Sequence, residues 1–188
     1  MTTYKEIFGK YVKNYSSDPS SDAEGQVWYN TTSGTFKSVV ASGAWSSASP
    51  LVTARRGLGG AGIQTAGLAF GGDAPPNSNA TEEYNGSGWS NGGNMGTARR
   101  FLAGAGTQTA GLGFGGYTTT FLNATEEYDG STWTAGGNLN TARNRPAGAG
   151  TQTAGLAFGG YIATGGLANT EEYIGASTAP TASNLTTS

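Results

Sequence analysis

An all-β fold of three tandem 44-residue units is predicted by three observations on this sequence. The stretches "GIQTAGLAFGG", "GTQTAGLGFGG" and "GTQTAGLAFGG" place Gln64, Gln108 and Gln152 at a constant step of 44 residues. Trp45, Trp89 and Trp133 recur at the same step, so two independent markers share one register. Within each unit, short runs are separated by Gly, Asn, Asp and Thr in turn patterns, the spacing of β-strands and not of helices. Self-similarity at a fixed period means that each unit buries its faces against its neighbours.

The elements follow in order along one unit. "TARRFLAGAG" passes through a "TQT" turn into "AGLGFGG", a loop of 8 or 9 residues leads to "TEEY", and a "DGST" turn leads to the tryptophan. That is a four-stranded meander per repeat. Four strands in about 40 to 50 residues are the signature of a propeller blade. Before Trp45, "TFKSVVASGAW" occupies the place of "TEEYNGSGW"; at the other end Glu171, Glu172 and Tyr173 are present, but Ser177 and Thr178 stand where a tryptophan is due. The chain is therefore expected to open and close on outer half-blades. Three units are fewer than the roughly four to eight blades of closed propellers, so subunits are expected to cooperate as a homo-oligomer, Trp45 of one chain completing the strand beside Tyr173 of the next.

Residues 1–34 do not repeat. They hold Lys5, Lys10 and Lys13, three of the chain's four lysines, in "YKEIFGKYVKNY", read as a short amphipathic segment. After the linker "SSDPSSDAEG", the run "QVWYNTTSGTFKSVV" reads as a hairpin around an Asn/Ser/Gly turn. The expected division is an N-terminal anchor over 1–34 and a repeat domain over 35–188.

Composition narrows the chemistry. Of 188 residues 36% are hydrophobic and 12% charged, and 33 are glycine, so small residues must do much of the packing. A net charge of -2 gives no electrostatic footprint for nucleic acid. No apolar run reaches the ~18 residues of a span, and the N-terminus lacks a continuous apolar stretch, so neither membrane insertion nor a secretory signal is expected. With no Cys and no His the commonest bases, nucleophiles and transition-metal ligands are missing. The expectation is a non-enzymatic protein without a cofactor, with no spacing that calls for an oxygen-ligand Ca²⁺ site.

A glycine doublet (Gly115 and Gly116), a loop, Glu126 to Tyr128, Trp133 and then "NTAR" (Asn140 to Arg143) is similar to the kelch motif. The likeness covers residues 45–173 and departs from the motif in spacing. The near-identical units, with the leader "YKEIFGKYVKNYSSDPSSDAEGQVWYNTTSGTFK", resemble kelch-like repeat virion proteins of marine bacteriophages. That resemblance implies a structural role in a virion assembled in the host cytoplasm. It implies docking on other virion proteins through the N-terminal segment, a tail fibre or appendage that meets a host-surface glycan or protein, and no catalytic residues.

Candidate residues carry a functional and a structural reading. The pairs Glu82-Glu83, Glu126-Glu127 and Glu171-Glu172 invite a glycosidase reading, yet neighbours in a strand face opposite ways. Arg55, Arg99 and Arg143 share one repeat position and are expected to make bidentate ion pairs between blades with the Glu-Glu-Tyr segments, with phosphate or anionic-glycan binding as the rival. Trp45, Trp89 and Trp133, with Tyr84, Tyr128 and Tyr173, read as blade packing against a rival of sugar stacking. The loops "DAPPNSNA", "YTTTFLNA" and "YIATGGLANT" differ between units, which makes Tyr117, Phe121 and Tyr161 the candidates for surface contact. Capsid decoration and a glycan-active enzyme are the alternative functions.

Overall fold

The computed structural model describes residues 4–7, 10–19, 26–38 and 43–175; among them no helix occurs, and the fold is all-β. The chain divides into two compact units, Met1–Ser47 and Ala48–Ser188.

The first unit is one sheet of β1 (Tyr4–Ile7), β2 (Lys10–Tyr15), β3 (Val27–Asn30) and β4 (Thr35–Ser38), in that order. β1–β2 and β3–β4 are antiparallel, and β2 runs parallel to β3. "YKEIFGKYVKNY" thus supplies a pair of strands and not an isolated amphipathic segment, in keeping with its Tyr, Ile and Val residues, which favour strands. The expected hairpin is present. Asn30 Oδ1 accepts the N–H groups of Thr32 and Ser33, and Gly34 takes a φ of 68°. Asp18 ties the sheet face together, accepting from Asn30 Nδ2 at 2.7 Å and pairing with Lys37 Nζ at 2.6 Å.

Because β4 pairs with β3, the N-terminal hairpin runs past residue 34, within the compact unit Met1–Ser47. "TFKSVVASGAW" is correspondingly not the outer half of a repeat sheet. Its first residues belong to the N-terminal unit, residues 39–42 lie outside the described residues, and Trp45 is fully exposed in coil. The physical reason is that this segment lacks the Glu-Glu-Tyr strand against which the later tryptophans pair.

The second unit contains three sheets in the predicted register. The first is β5 (Gly59–Ile63), β6 (Ala66–Phe70), β7 (Thr81–Tyr84) and β8 (Trp89–Asn91). The next is β9 (Ala103–Gly106), β10 (Gly111–Phe114), β11 (Thr125–Tyr128) and β12 (Trp133–Ala135). The third pairs β13 (Ala147–Gly150), β14 (Ala154–Phe158) and β17 (Thr170–Ile174), and its loop carries a small hairpin of β15 (Tyr161–Ile162) and β16 (Gly165–Gly166). All are antiparallel meanders, with Leu68 opposite Glu83, Leu112 opposite Glu127 and Leu156 opposite Glu172. Ser177 and Thr178 lie outside the described residues.

Successive sheets pack face to face, and glycine sets their separation. A Cβ on Gly104 would lie 2.5 Å from the Gly60 carbonyl oxygen, and one on Gly148 would lie 2.4 Å from that of Gly104. No side chain fits there, so bare backbone of β9 rests on β5 and that of β13 on β9. The space beside each glycine takes a large side chain from the preceding sheet. The Phe70 ring lies over Gly104 and the Phe114 ring over Gly148, while Leu68 fills the hollow at Gly111 and Leu112 that at Gly155. The core accordingly lies between sheets, as Leu68, Phe70, Met95, Leu102 and Tyr128 in one cluster and Ala103, Ala105, Leu112, Phe114 and Ala157 in the other.

Polar clamps repeat with the same step. Gln108 Nε2 donates back to the Gly67 and Tyr84 carbonyls at 3.1 and 2.8 Å, and Gln152 Nε2 donates to those of Gly111 and Tyr128 at 3.0 and 2.7 Å. The glutamine that marks the repeat in sequence is therefore a strap between sheets.

Gly104→Val should lower the unfolding free energy by about 3 kcal/mol through overpacking against rigid backbone. Gly88→Ala, where a Cβ meets nothing within 4 Å, should stay within about 0.5 kcal/mol of wild type. Denaturant melts of the two variants check the contrast.

Candidate functional site

The three arginines of the repeat are buried ion-pair partners, but each pairs within the sheet it leads into and not between blades, because the segment before β5, β9 or β13 folds back over the Glu-Glu-Tyr strand of its own sheet. Arg55 Nη2 lies 3.1 Å from Glu82 Oε1 and Arg99 Nη2 lies 3.1 Å from Glu126 Oε1, while Arg143 pairs with Glu171; all three arginine side chains are fully buried. Each guanidinium also donates to a loop carbonyl, that of Ala80, Ala124 or Asn169. The carboxylates in turn accept backbone N–H groups of the segment entering the sheet, from Val52 and Thr53, from Gly96, and from Asn140 and Thr141. Burial pulls the Arg55 and Arg99 guanidinium pKa below the ordinary arginine value, and the adjoining carboxylate opposes that shift. Enclosed in this way, the arginines face no solvent from which a phosphate or anionic glycan would arrive.

The second glutamate of each pair points to the other face. Glu83 accepts the hydroxyl of Tyr128 from the following sheet, and Glu127 accepts that of Tyr173. The Tyr128 pKa is pushed up to about 12, by burial first and by this hydrogen bond second. Tyr173 is raised for the same causes in the same order. The two carboxylates of a pair are thus held on separate partners and do not converge on one point. Among the described residues no group of three His, Cys, Asp or Glu side chains is placed to hold a metal ion.

The tryptophans pack. Trp89 stacks on Tyr84 at 5.1 Å; Trp133 stacks on Tyr128 at 5.0 Å and on Phe70 at 4.8 Å, and its indole N–H donates to Thr81 Oγ1 of the preceding sheet. Between the second and third sheets the corresponding place is a pocket lined by Phe114, Thr125, Leu139, Ala157, Glu172 and Tyr173. It is the slot that an indole fills one step earlier.

The variable loops gather at the end where the chain enters β5, β9 and β13. Backbone pairing links Arg56 with Asp73, Arg100 with Tyr117 and Asn144 with Tyr161, three positions in register. The next residue is left-handed in each unit: Gly57, Phe101 and Arg145 have φ of 60°, 56° and 51°. They form a stacked column in which Phe101 N–H donates to the Gly57 carbonyl and Arg145 N–H to that of Phe101. Tyr117 and Phe121 stack at 5.7 Å, the Arg100 guanidinium lies 5.4 Å from both the Tyr117 and the Phe101 rings, and Arg145 lies 4.3 Å from Phe101. The buried Asp73 pairs with Arg56 at 3.0 Å and Arg100 at 3.5 Å. Asn77 crosses between loops, accepting from Arg100 and donating to the Tyr117 carbonyl.

This face brings together the expected Tyr117 and Phe121 and leaves Tyr161 exposed on the neighbouring loop. Arg56, Arg100, Phe101, Arg145 and Asp73 were not among the expected contact residues. The signal for them is present in the sequence, since positions 57, 101 and 145 hold Gly, Phe and Arg inside otherwise near-identical units. Three arginines against one aspartate, interleaved with aromatic rings, suit an acidic or planar polar partner.

Arg99→Met should destabilise the protein by about 3 to 5 kcal/mol, because it strands a buried carboxylate; equilibrium unfolding tests it. The raised tyrosine pKa values have a definite sign. Tyr128 and Tyr173 stay protonated in the folded chain where the unfolded chain ionises, so the stability they supply is complete below the ordinary tyrosine pKa and lost as pH rises through their raised folded values, about 12 for Tyr128. Denaturant midpoints in this alkaline window should fall with pH, and Tyr128→Phe should flatten the slope. Neither a family model nor a curated protein matches the chain.

Proposed function

We propose that the chain is a non-enzymatic structural and binding protein of a bacteriophage particle, a tail fibre or tail appendage. Its three sheets are kelch-like blades of a propeller-type body, and its N-terminal unit attaches to another virion protein. The virion assignment rests on the sequence resemblance. The binding role is supported by one observation above others: chemistry that elsewhere serves catalysis is consumed within the scaffold here, whereas the unlike loops after β6, β10 and β14 and the unlike residues 57, 101 and 145 lie together on one face. Glu82, Glu126 and Glu171 are occupied by arginine and backbone N–H groups, and Glu83 and Glu127 by tyrosine hydroxyls. Variation confined to loops on a constant framework is how recognition is built on a rigid scaffold.

The face around Arg100, Tyr117 and Phe121 would meet the host surface, an acidic glycan or an acidic protein segment suiting its charge. Immunogold electron microscopy on phage particles, with antibody against the full chain, tests the assignment. Label at the tail is expected; label over the head would replace this reading with capsid decoration, and particles without label would remove the virion role. Tyr117→Ala combined with Arg100→Ala should abolish adsorption of the purified protein to host cells while leaving its far-UV circular dichroism unchanged.

A further inference from the structure

We infer that the two ends of the three-sheet unit are complementary, and that a second copy of this chain docks on the first head to tail. The docking of the two faces rests on the packing and is independent of the phage assignment, while closure at two copies rests on the proposed propeller reading.

Each internal step uses the same features on both sides. The earlier sheet supplies a phenylalanine and a leucine as knobs, two backbone carbonyls and a glutamate. The later sheet supplies two glycines as hollows, a glutamine donor and a tyrosine hydroxyl. At the trailing end the third sheet presents the earlier set with no following sheet among the described residues. Phe158 is 39% exposed, whereas its register mates Phe70 and Phe114 are 0% and 2% exposed. Leu156 is half-buried, and the Glu172 side is exposed where the register mates Glu83 and Glu127 are covered by a tyrosine. The Gly155 and Tyr173 carbonyls stand in the register of those that receive Gln108 and Gln152.

At the leading end the first sheet presents the later set with no preceding repeat sheet among the described residues. Gly60 and Gln64 are exposed, and Gly67 lies beside them in the register of Gly111. A Cβ on Gly60 would meet the Leu68 carbonyl oxygen of its own sheet at 3.5 Å, so nothing among the described residues demands a glycine there. Its register mates Gly104 and Gly148 are glycine because a preceding sheet presses on them at 2.5 and 2.4 Å. Tyr84, lacking a preceding carboxylate, turns its hydroxyl to the Gly86 carbonyl at 3.1 Å.

Docking of these faces places Phe158 and Leu156 of one copy in the hollows at Gly60 and Gly67 of the next. It places Gln64 on the Gly155 and Tyr173 carbonyls, and the Tyr84 hydroxyl on Glu172. The indole slot beside Phe114 and Tyr173 then has its occupant. Trp45 precedes Arg55 by the same ten residues that separate Trp89 from Arg99 and Trp133 from Arg143, so the copy whose first sheet docks also delivers its exposed Trp45 to that slot. Head-to-tail contacts close when the rotation permits. Two copies give six sheets, inside the roughly four to eight of closed propellers, and the product is a dimer.

Sedimentation velocity on the full chain tests this with two variants at exposed positions, Phe158→Asp on the trailing face and Gly60→Val on the leading face. Wild type should sediment as a dimer and each variant alone as a monomer with unchanged far-UV circular dichroism. An equimolar mixture of the variants should recover a dimer, because it retains one intact pair of faces. Trp45→Ala should weaken the wild-type dimer about tenfold or more. A wild-type chain that stays monomeric at every concentration would overturn the proposal. So would folded variants that dimerise as wild type does, or a mixture that stays monomeric; a dimer untouched by Trp45→Ala would overturn the slot assignment.

Discussion

Everything in the repeat unit follows from bare backbone resting on bare backbone at Gly60, Gly104 and Gly148. That close approach fixes the distance between sheets. At this distance a phenylalanine spans the gap onto the next glycine, a leucine reaches the next hollow, and a glutamine side chain extends back to two carbonyls. A chain with few large apolar residues builds its core this way, in thin layers between sheets instead of one central mass. It also accounts for the near-identity of the units. Each side chain of the second unit has neighbours before and behind it, so a change at one position must be matched at two others.

The Glu-Glu-Tyr triplet does for the polar groups what glycine does for the backbone. Because neighbouring side chains in a strand face opposite ways, the first glutamate gathers the buried arginine and the incoming backbone. The second glutamate and the tyrosine reach to adjacent sheets. Buried charge is tolerated only where it is paired and hydrogen-bonded, and here the carboxylate that neutralises Arg99 also takes the Gly96 N–H. The arrangement leaves the carboxylates no common target, and it leaves chemical variety to the loops that carry Arg100, Tyr117 and Phe121.

Much of this was legible in the sequence, for physical reasons that differ by element. The 44-residue step of Gln and Trp and the four runs per unit gave the meanders in their observed register, since turn residues and short β runs are local signals. That Arg55, Arg99 and Arg143 pair with carboxylates was also legible, because a charge repeated in register must have a partner repeated in register; that each pair closes within one sheet and not between sheets was not, since a 44-residue step fits either partner. The role of Trp45 was not, since its sequence mates take their packing from a Glu-Glu-Tyr strand that "TFKSVV" does not supply. Strand β4 was drawn to β3 by a hairpin turn that closes over few residues, and local closure outweighed the weak likeness to the repeat. The charged loop face was missed because the change of residue at positions 57, 101 and 145 marks the place but not the left-handed column at Gly57, Phe101 and Arg145, the tertiary arrangement that brings Arg56, Arg100 and Arg145 together.

The account rests on side chains of one sheet entering glycine hollows of the next, and a double-mutant cycle on one such contact addresses that directly. Leu68 Cδ2 lies 2.6 Å from the place a Cβ on Gly111 would take. Unfolding free energies of Leu68→Ala, Gly111→Ala and the double variant should be strongly non-additive, the added methyl entering space that the shortened side chain vacates, with a coupling of about 1 kcal/mol or more. Additivity to within about 0.5 kcal/mol would contradict the face-to-face packing on which the fold, and the docking of its two ends, depend.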